Sequence, residues 1–297
     1  MSYLKKLVLL LPSILCFHLA YGQTENTPCP LASKTVAVEG GVISYLQGGS
    51  GPPVLLLHGL FGEKEHWLGL GCSLANQGFN VIAPDLPGYG RSSNYPVTTY
   101  PLESQVNILH RFMGGVTKGS FHIAGNSMGG AIAALYAHQY PGEIKTVAFI
   151  GAPLGAIDWS EQVRGSIFQG VNPFIPINTD QLDLEMRLLF LQPPNIDESI
   201  KLQLIKEYQD NNRHYQQVWS IVNFYTSSLS RLPKQSKPTL ILWGERDEIF
   251  SIAGLPALKK KFPKSQAYPL ANASHLLMIE DPVRVADIYG PFLKRSK

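Results

Sequence analysis

Cysteine is scarce in this 297-residue chain, which holds three, and neither a Cys-x-x-Cys pair nor a helical histidine spacing suited to zinc occurs. No catalytic metal is therefore expected, and no cofactor. Charge is sparse as well. The formal balance is +3, and no basic run with interleaved aromatics offers itself to a phosphate backbone, which excludes nucleic acid as a partner. There is no internal repeat and no low-complexity stretch. The glycine-rich pieces at 48–51 and 114–120 lack the order of a P-loop or a dinucleotide fingerprint and read as turns.

Long apolar runs are missing too, since the one from Leu7 to Ala20 falls short of the roughly 20 residues that span a bilayer. Lys5 and Lys6 precede it, and Ala20-Tyr21-Gly22 puts small residues before a cut ahead of Gln23, so residues 1–22 read as a secretory signal peptide. Export to the periplasm or beyond is the expectation. Leu15 is too large to make Cys16 a lipoprotein-processing site. Cleavage would take the charge from +3 to +1 and leave Cys29 and Cys72. These two are either a disulfide or a pair of buried thiols. Spacing alone leaves both open, because a bridge needs Cα atoms within about 7 Å.

What the chain does hold is apolar sequence in regular order. At 44% hydrophobic it can bury a large core, and its length suits one α/β domain with an insertion. Lys34–Gln47 reads as two strands turning at Gly40 and Gly41. Continuous apolar runs follow at Pro53–His58, Phe79–Ala83, Ser120–Ala124, Thr146–Gly151, Pro238–Trp243 and Ser265–Leu270, the pattern of strands covered on both faces. Helical periods between them, such as Leu102–Met113, Ala131–Tyr140 and Leu255–Phe262, predict a mostly parallel central sheet flanked by helices.

Residues 153–237 interrupt this rhythm without a convincing strand and are expected to form a helical cap inserted before the last two strands, on a core of 23–152 and 238–297. Cap helices are expected near Ser160–Phe168, Gln181–Leu191, Glu198–Asp210 and Arg213–Ser227, with breaks at Pro173, Pro176, Pro193 and Pro194. Trp159, Phe168, Phe174, Leu188, Phe190, Trp219 and Phe224 are expected mainly to pack cap against core.

The most informative stretch is Phe121–Gly130, where Ser127 sits inside Gly-x-Ser-x-Gly between an apolar run and an alanine-rich helical one. Gly125 and Gly129 permit a turn from strand to helix too tight for side chains, and the following helix, about Met128–Tyr140, aims its first amides at the serine. A serine hydroxyl is nearly inert at neutral pH, so it needs a base and a carboxylate to orient that base. Asp247, in Trp-Gly-Glu-Arg-Asp-Glu after a strand, and His275, in Asn-Ala-Ser-His-Leu after the last strand, fit the order serine, acid, histidine. Glu245 and Glu248 are the rival acids. Backbone N–H groups of Leu60 and Met128 would stabilise the oxyanion. His58 ends a central strand and is expected to organise the loop behind it, and Asp85–Ser92, a tight loop next to the sheet's carboxyl edge, is expected to be structural. His66, His110 and His214 give no reason to face Ser127.

Together His58-Gly59, Asp85–Ser92, Gly125–Gly130, Trp243–Asp247 and His275 resemble the α/β-hydrolase superfamily over nearly the whole chain after residue 22. With Gly-Asn-Ser-Met-Gly-Gly-Ala-Ile, a signal segment and a cap, the chain is similar to bacterial exported lipases and carboxylesterases. The resemblance implies hydrolysis of a small-molecule ester or lipid through an acyl-enzyme. An apolar cap favours lipid-like acyl chains and transient contact with a lipid surface. Meta-cleavage C–C hydrolases share the elbow but carry tryptophan after the histidine, where Leu276 stands, and stay in the cytoplasm. Dehalogenases and epoxide hydrolases use aspartate in place of Ser127. A thioesterase, a lactonase and a catalytically silent binding protein of the same fold are the remaining alternatives.

Overall fold

The computed structural model describes residues 28–224 and 226–296; the expected signal segment lies outside them. Eight strands form one sheet in the order β1-β2-β4-β3-β5-β6-β7-β8. They are β1 (Ala32–Val38), β2 (Gly41–Gly48), β3 (Pro53–Leu57), β4 (Asn80–Pro84), β5 (Phe121–Ser127), β6 (Ile144–Pro153), β7 (Thr239–Gly244) and β8 (Ser265–Leu270). The first two make an antiparallel hairpin, turned at Gly40 with φ +91°, and β2 lies antiparallel to β4. Every further pairing is parallel. The expected mostly parallel sheet is therefore observed.

Alternation along the strands divides the core between two faces. Leu55, Leu57 and Ile123 pack with α2 (Leu102–Val116) and α3 (Met128–Gln139) on one face. Val54, Leu56 and Leu240 pack with α1 (Leu68–Asn76) and the C-terminal helix Pro282–Arg295 on the other. That last helix escapes sequence reading because Gly290 and Pro291 interrupt its interior, yet Asp281 caps it and Val285, Tyr289 and Phe292 are buried.

Between β6 and β7 lie α4 (Glu161–Phe168), α5 (Thr179–Leu189), α6 (Glu198–Asp210), α7 (Asn212–Phe224) and the short α8 (Ser227–Arg231). Sequence reading expects four helices here and carries the last to Ser227. Thr226 instead breaks the run, its hydroxyl donating to the Asn223 carbonyl at 2.8 Å. The strand β6 also runs to Pro153, one residue past the expected core boundary. Side-chain caps at Ser160 and Asn178 explain where α4 and α5 start. After β7 come α9 (Leu255–Lys261), α10 (Leu277–Glu280) and α11 (Pro282–Arg295). Among the described residues no helix is long and apolar enough to cross a membrane.

Cys29 and Cys72 are joined, with their Cα atoms 5.0 Å apart. The bridge ties the segment before β1 to α1 and removes the alternative of two thiols.

Candidate active site

Ser127 ends β5 with φ +52° and ψ −119°, a left-handed backbone that a non-glycine residue adopts only when its surroundings enforce it. Those surroundings are the flanking glycines. A Cβ on Gly125 would collide with the backbone of Gly129, and one on Gly129 with the carbonyls of Leu57 and His58. The start of α3 thus presses against the end of β3, and no larger residue fits either position. Met128 is the first residue of α3, whose opening amides have no carbonyl partner within the helix.

Asp247 follows β7 and His275 follows β8, at the carboxyl edge of the sheet where Ser127 also lies. The His275 imidazole and Asp247 carboxylate meet at 2.9 Å between Nδ1 and Oδ2. Their side chains are 3% and 0% exposed, so the contact is shielded from water. Asp247 Oδ1 accepts the backbone N–H groups of Ile249 and Phe250, both at 2.9 Å, which fixes the carboxylate plane. The rival acids Glu245 and Glu248 are exposed. The loop bearing His275 is fixed from below by Asn126, whose amide donates to the carbonyls of Ile150 at 2.8 Å and His275 at 3.0 Å. Sequence reading missed this residue. It occupies the variable position of Gly-x-Ser-x-Gly, and its partners are distant in the chain.

Leu60 lies in the loop leaving β3, which buried polar contacts hold rigidly. His58 bonds the Gly59 carbonyl through Nδ1 at 2.8 Å and accepts the Leu86 N–H at Nε2 at 2.9 Å, so both ring nitrogens are committed to the loop. Asp85, fully buried, accepts Lys64 N–H and Arg91 N–H and pairs with the buried Lys64 ammonium at 2.7 Å. The loop roles expected of His58 and Asp85 match these contacts. His66 lines the same cavity as Ser127, and the missing side chain of Gly62 leaves room for the His58 and His66 rings on either side of it. Burial lowers His58 and His66 to about 4, keeping both rings neutral.

Two buried carboxyls move the other way. Burial, reinforced by the neighbouring Glu65 and Asp85 charges, raises Glu63 to about 8, and burial raises Glu185 to about 8. From pH 7 to 8 the lowered histidines are neutral, whereas these carboxyls keep a proton in the fold that the unfolded chain has lost. Unfolding then releases protons, so stability falls as pH rises, by at most about 1.4 kcal/mol per pH unit for each group. The thermal midpoint should be lower at pH 8 than at pH 7, with Glu185→Gln narrowing the gap. A midpoint that holds or climbs across that interval contradicts neutral carboxyls in the fold.

One cavity, of about 1170 Å³ counting its open mouth, is lined by Ser127, His275 and Leu60 together with helices of the 153–237 interval. Trp159, Phe174 and Phe190, from the 153–237 interval, line it as well, so these aromatics do more than pack against the core. Trp219 stacks on Trp159 behind them, and Leu188 is fully buried. Phe168 departs from expectation altogether: at the end of α4 it is 94% exposed. Ser127 and His275 share the cavity without a hydrogen bond between them, a contact that in empty sites is commonly long and tightens on binding substrate. Among the described residues no three His, Cys, Asp or Glu side chains are grouped to hold a metal.

Residues 52–282 match the family model for the alpha/beta hydrolase fold. Lipase 1 of Psychrobacter immobilis is 28% identical over 280 residues, covering 91% of this chain and 86% of its own length. Monoacylglycerol lipase abhd6-B of Xenopus laevis is 28% identical over 258 residues, covering 82% of this chain and 76% of its own. Among solved structures, that of a membrane phospholipase A, a bacterial virulence factor, superposes with a TM-score of 0.82 at 27% identity, covering 97% of this chain and 93% of that one.

Proposed function

Since the chain belongs to the α/β-hydrolase family, we propose that it is a serine hydrolase cleaving carboxylic esters of lipid-like acids. The observation that carries this reading is the buried Asp247–His275 pair opening onto the cavity that also holds Ser127 in its strained turn. In the proposed reaction the Ser127 hydroxyl attacks the ester carbonyl carbon while His275 takes its proton at Nε2. The tetrahedral oxyanion receives the N–H groups of Leu60 and Met128. Collapse expels the alcohol, which leaves with the proton from His275, and an acyl-Ser127 remains. Water, deprotonated by His275, then attacks the acyl carbonyl, and the acid departs as Ser127 regains its proton. Asp247 holds Nδ1 protonated and stabilises the imidazolium.

The substrate class draws support from the lipase and phospholipase names of the relatives. It draws further support from the aromatic wall of Trp159, Phe174 and Phe190. We assign the 153–237 helices the role of a cap that shapes the acyl subsite and meets a lipid surface. Export is proposed from residues 1–22, and the Cys29–Cys72 bridge supports it, because such bonds persist in oxidising compartments. The test is turnover of p-nitrophenyl esters from acetate to palmitate on purified protein, with and without emulsified substrate. Activity should rise from the shortest to the medium chains, by about tenfold, as added methylenes fill the apolar cavity. Absence of turnover on the whole series contradicts the reading.

A further inference from the structure

Two carboxyls in the cavity have no part in the ester chemistry. Glu185 on α5 is 6% exposed and Glu207 on α6 is 9% exposed, and both line the space that contains Ser127 and His275. An acid enclosed among apolar side chains persists only when it is neutralised or hydrogen-bonded. Glu185 is hydrogen-bonded to the Tyr208 hydroxyl. Glu207 Oε1 accepts the Tyr215 hydroxyl at 3.1 Å. The two tyrosine rings lie 4.8 Å apart, so the four side chains form one cluster. One atom is left over: Glu207 Oε2 is enclosed and has no hydrogen-bond partner among the described residues.

The electrical character of the cluster narrows what could meet that atom. Among the described residues no lysine or arginine lines the cavity. Burial raises the pKa of both carboxyls, Glu185 to about 8, so around pH 7 Glu185 presents a neutral donor and acceptor to the cavity. A neutral hydroxyl, able both to donate and to accept, matches such a surface. Phe61, whose ring meets Tyr215 edge-on at 5.1 Å, links the cluster to the loop that carries Leu60, so the polar wall and the proposed oxyanion donors border the same substrate space.

We propose that Glu207, held by Tyr215 and flanked by the Glu185–Tyr208 pair, hydrogen-bonds a hydroxyl group of the ester substrate and selects hydroxyl-bearing esters over plain alkyl esters. This rests on the ester-hydrolase reading and deepens it. The hydroxyl has two chemical sources, a polyol alcohol such as glycerol or a hydroxylated acyl chain. Apolar walls discriminate weakly, whereas a buried polar group left unpaired by the wrong substrate discriminates strongly.

The experiment compares kcat/KM for glyceryl octanoate, ethyl octanoate and ethyl 8-hydroxyoctanoate in the unaltered protein, Glu207→Gln and Glu207→Leu. At least one hydroxyl-bearing ester should be preferred over ethyl octanoate by tenfold or more, and the arm that shows the preference identifies the source. Glu207→Leu should cut that preference about tenfold, while Glu207→Gln, which keeps polar atoms in place, retains most of it. A preference that is absent at the outset, or unmoved in Glu207→Leu, overturns the proposal. So does a stronger preference for choline octanoate, which would mark a cation subsite. Labelling of each variant with a fluorophosphonate separates the two levels: a labelled protein with an unchanged ratio overturns the subsite alone, and an unlabelled parent protein overturns the reading beneath it.

Discussion

Alanine in place of Ser127 lowers kcat for p-nitrophenyl esters by about 10⁴- to 10⁶-fold, the range expected when a nucleophile that works as one unit with its base is removed. The fold should not change. The Ser127 side chain makes no hydrogen bond among the described residues, and alanine meets the same backbone strain at φ +52° that serine does. Stability and catalysis therefore separate at this position, with a thermal midpoint held and turnover lost. Thermal unfolding and steady-state rates on the same preparation read both. Activity within tenfold of the parent protein would mean that another group attacks the ester.

The second large effect is expected from Asp247→Asn, a loss of about 10³- to 10⁴-fold. The reason lies in the bonds on either side of the carboxylate. Oδ1 accepts the amides of Ile249 and Phe250, so an asparagine oxygen would keep that position and turn its NH₂ group toward His275 Nδ1. Nδ1 then has to accept, the ring proton moves to Nε2, and the base needed by Ser127 is gone. Loss should fall on kcat with KM little changed, because the cavity walls are untouched. Retention of more than a tenth of the rate would show that His275 is oriented by something other than Asp247.

Much of this architecture is legible in the chain because its demands are local. Gly125 and Gly129 are needed where α3 presses on β3, a requirement any sequence with this turn must meet, and so the elbow announces itself. The parallel strands are short apolar runs because helices cover both sheet faces. Asp247 and His275 follow strands directly, so strand recognition carries them along.

What stays hidden depends on contacts between distant segments. Asn126 reads as filler in the elbow, since its partners Ile150 and His275 are unrelated to it in sequence. His66 gives no sign in the sequence that it lines the cavity with Ser127, because the loop that carries it is placed by the Asp85 and Lys64 contacts. Glu185 and Glu207 sit on helices rich in charge, where a carboxyl ordinarily marks the solvated face, and only the arrangement of α5 and α6 over the cavity encloses them. The C-terminal helix is masked by its own proline.

The central claim is that Ser127 is the nucleophile. Its most direct measurement is intact and peptide mass spectrometry after exposure to a fluorophosphonate, which reacts with a hydroxyl activated as a nucleophile. The account predicts one phosphonyl group per chain, located on the peptide containing Ser127 and absent from Ser127→Ala. A stoichiometric adduct on another residue, or no adduct on a preparation that hydrolyses esters, would contradict it.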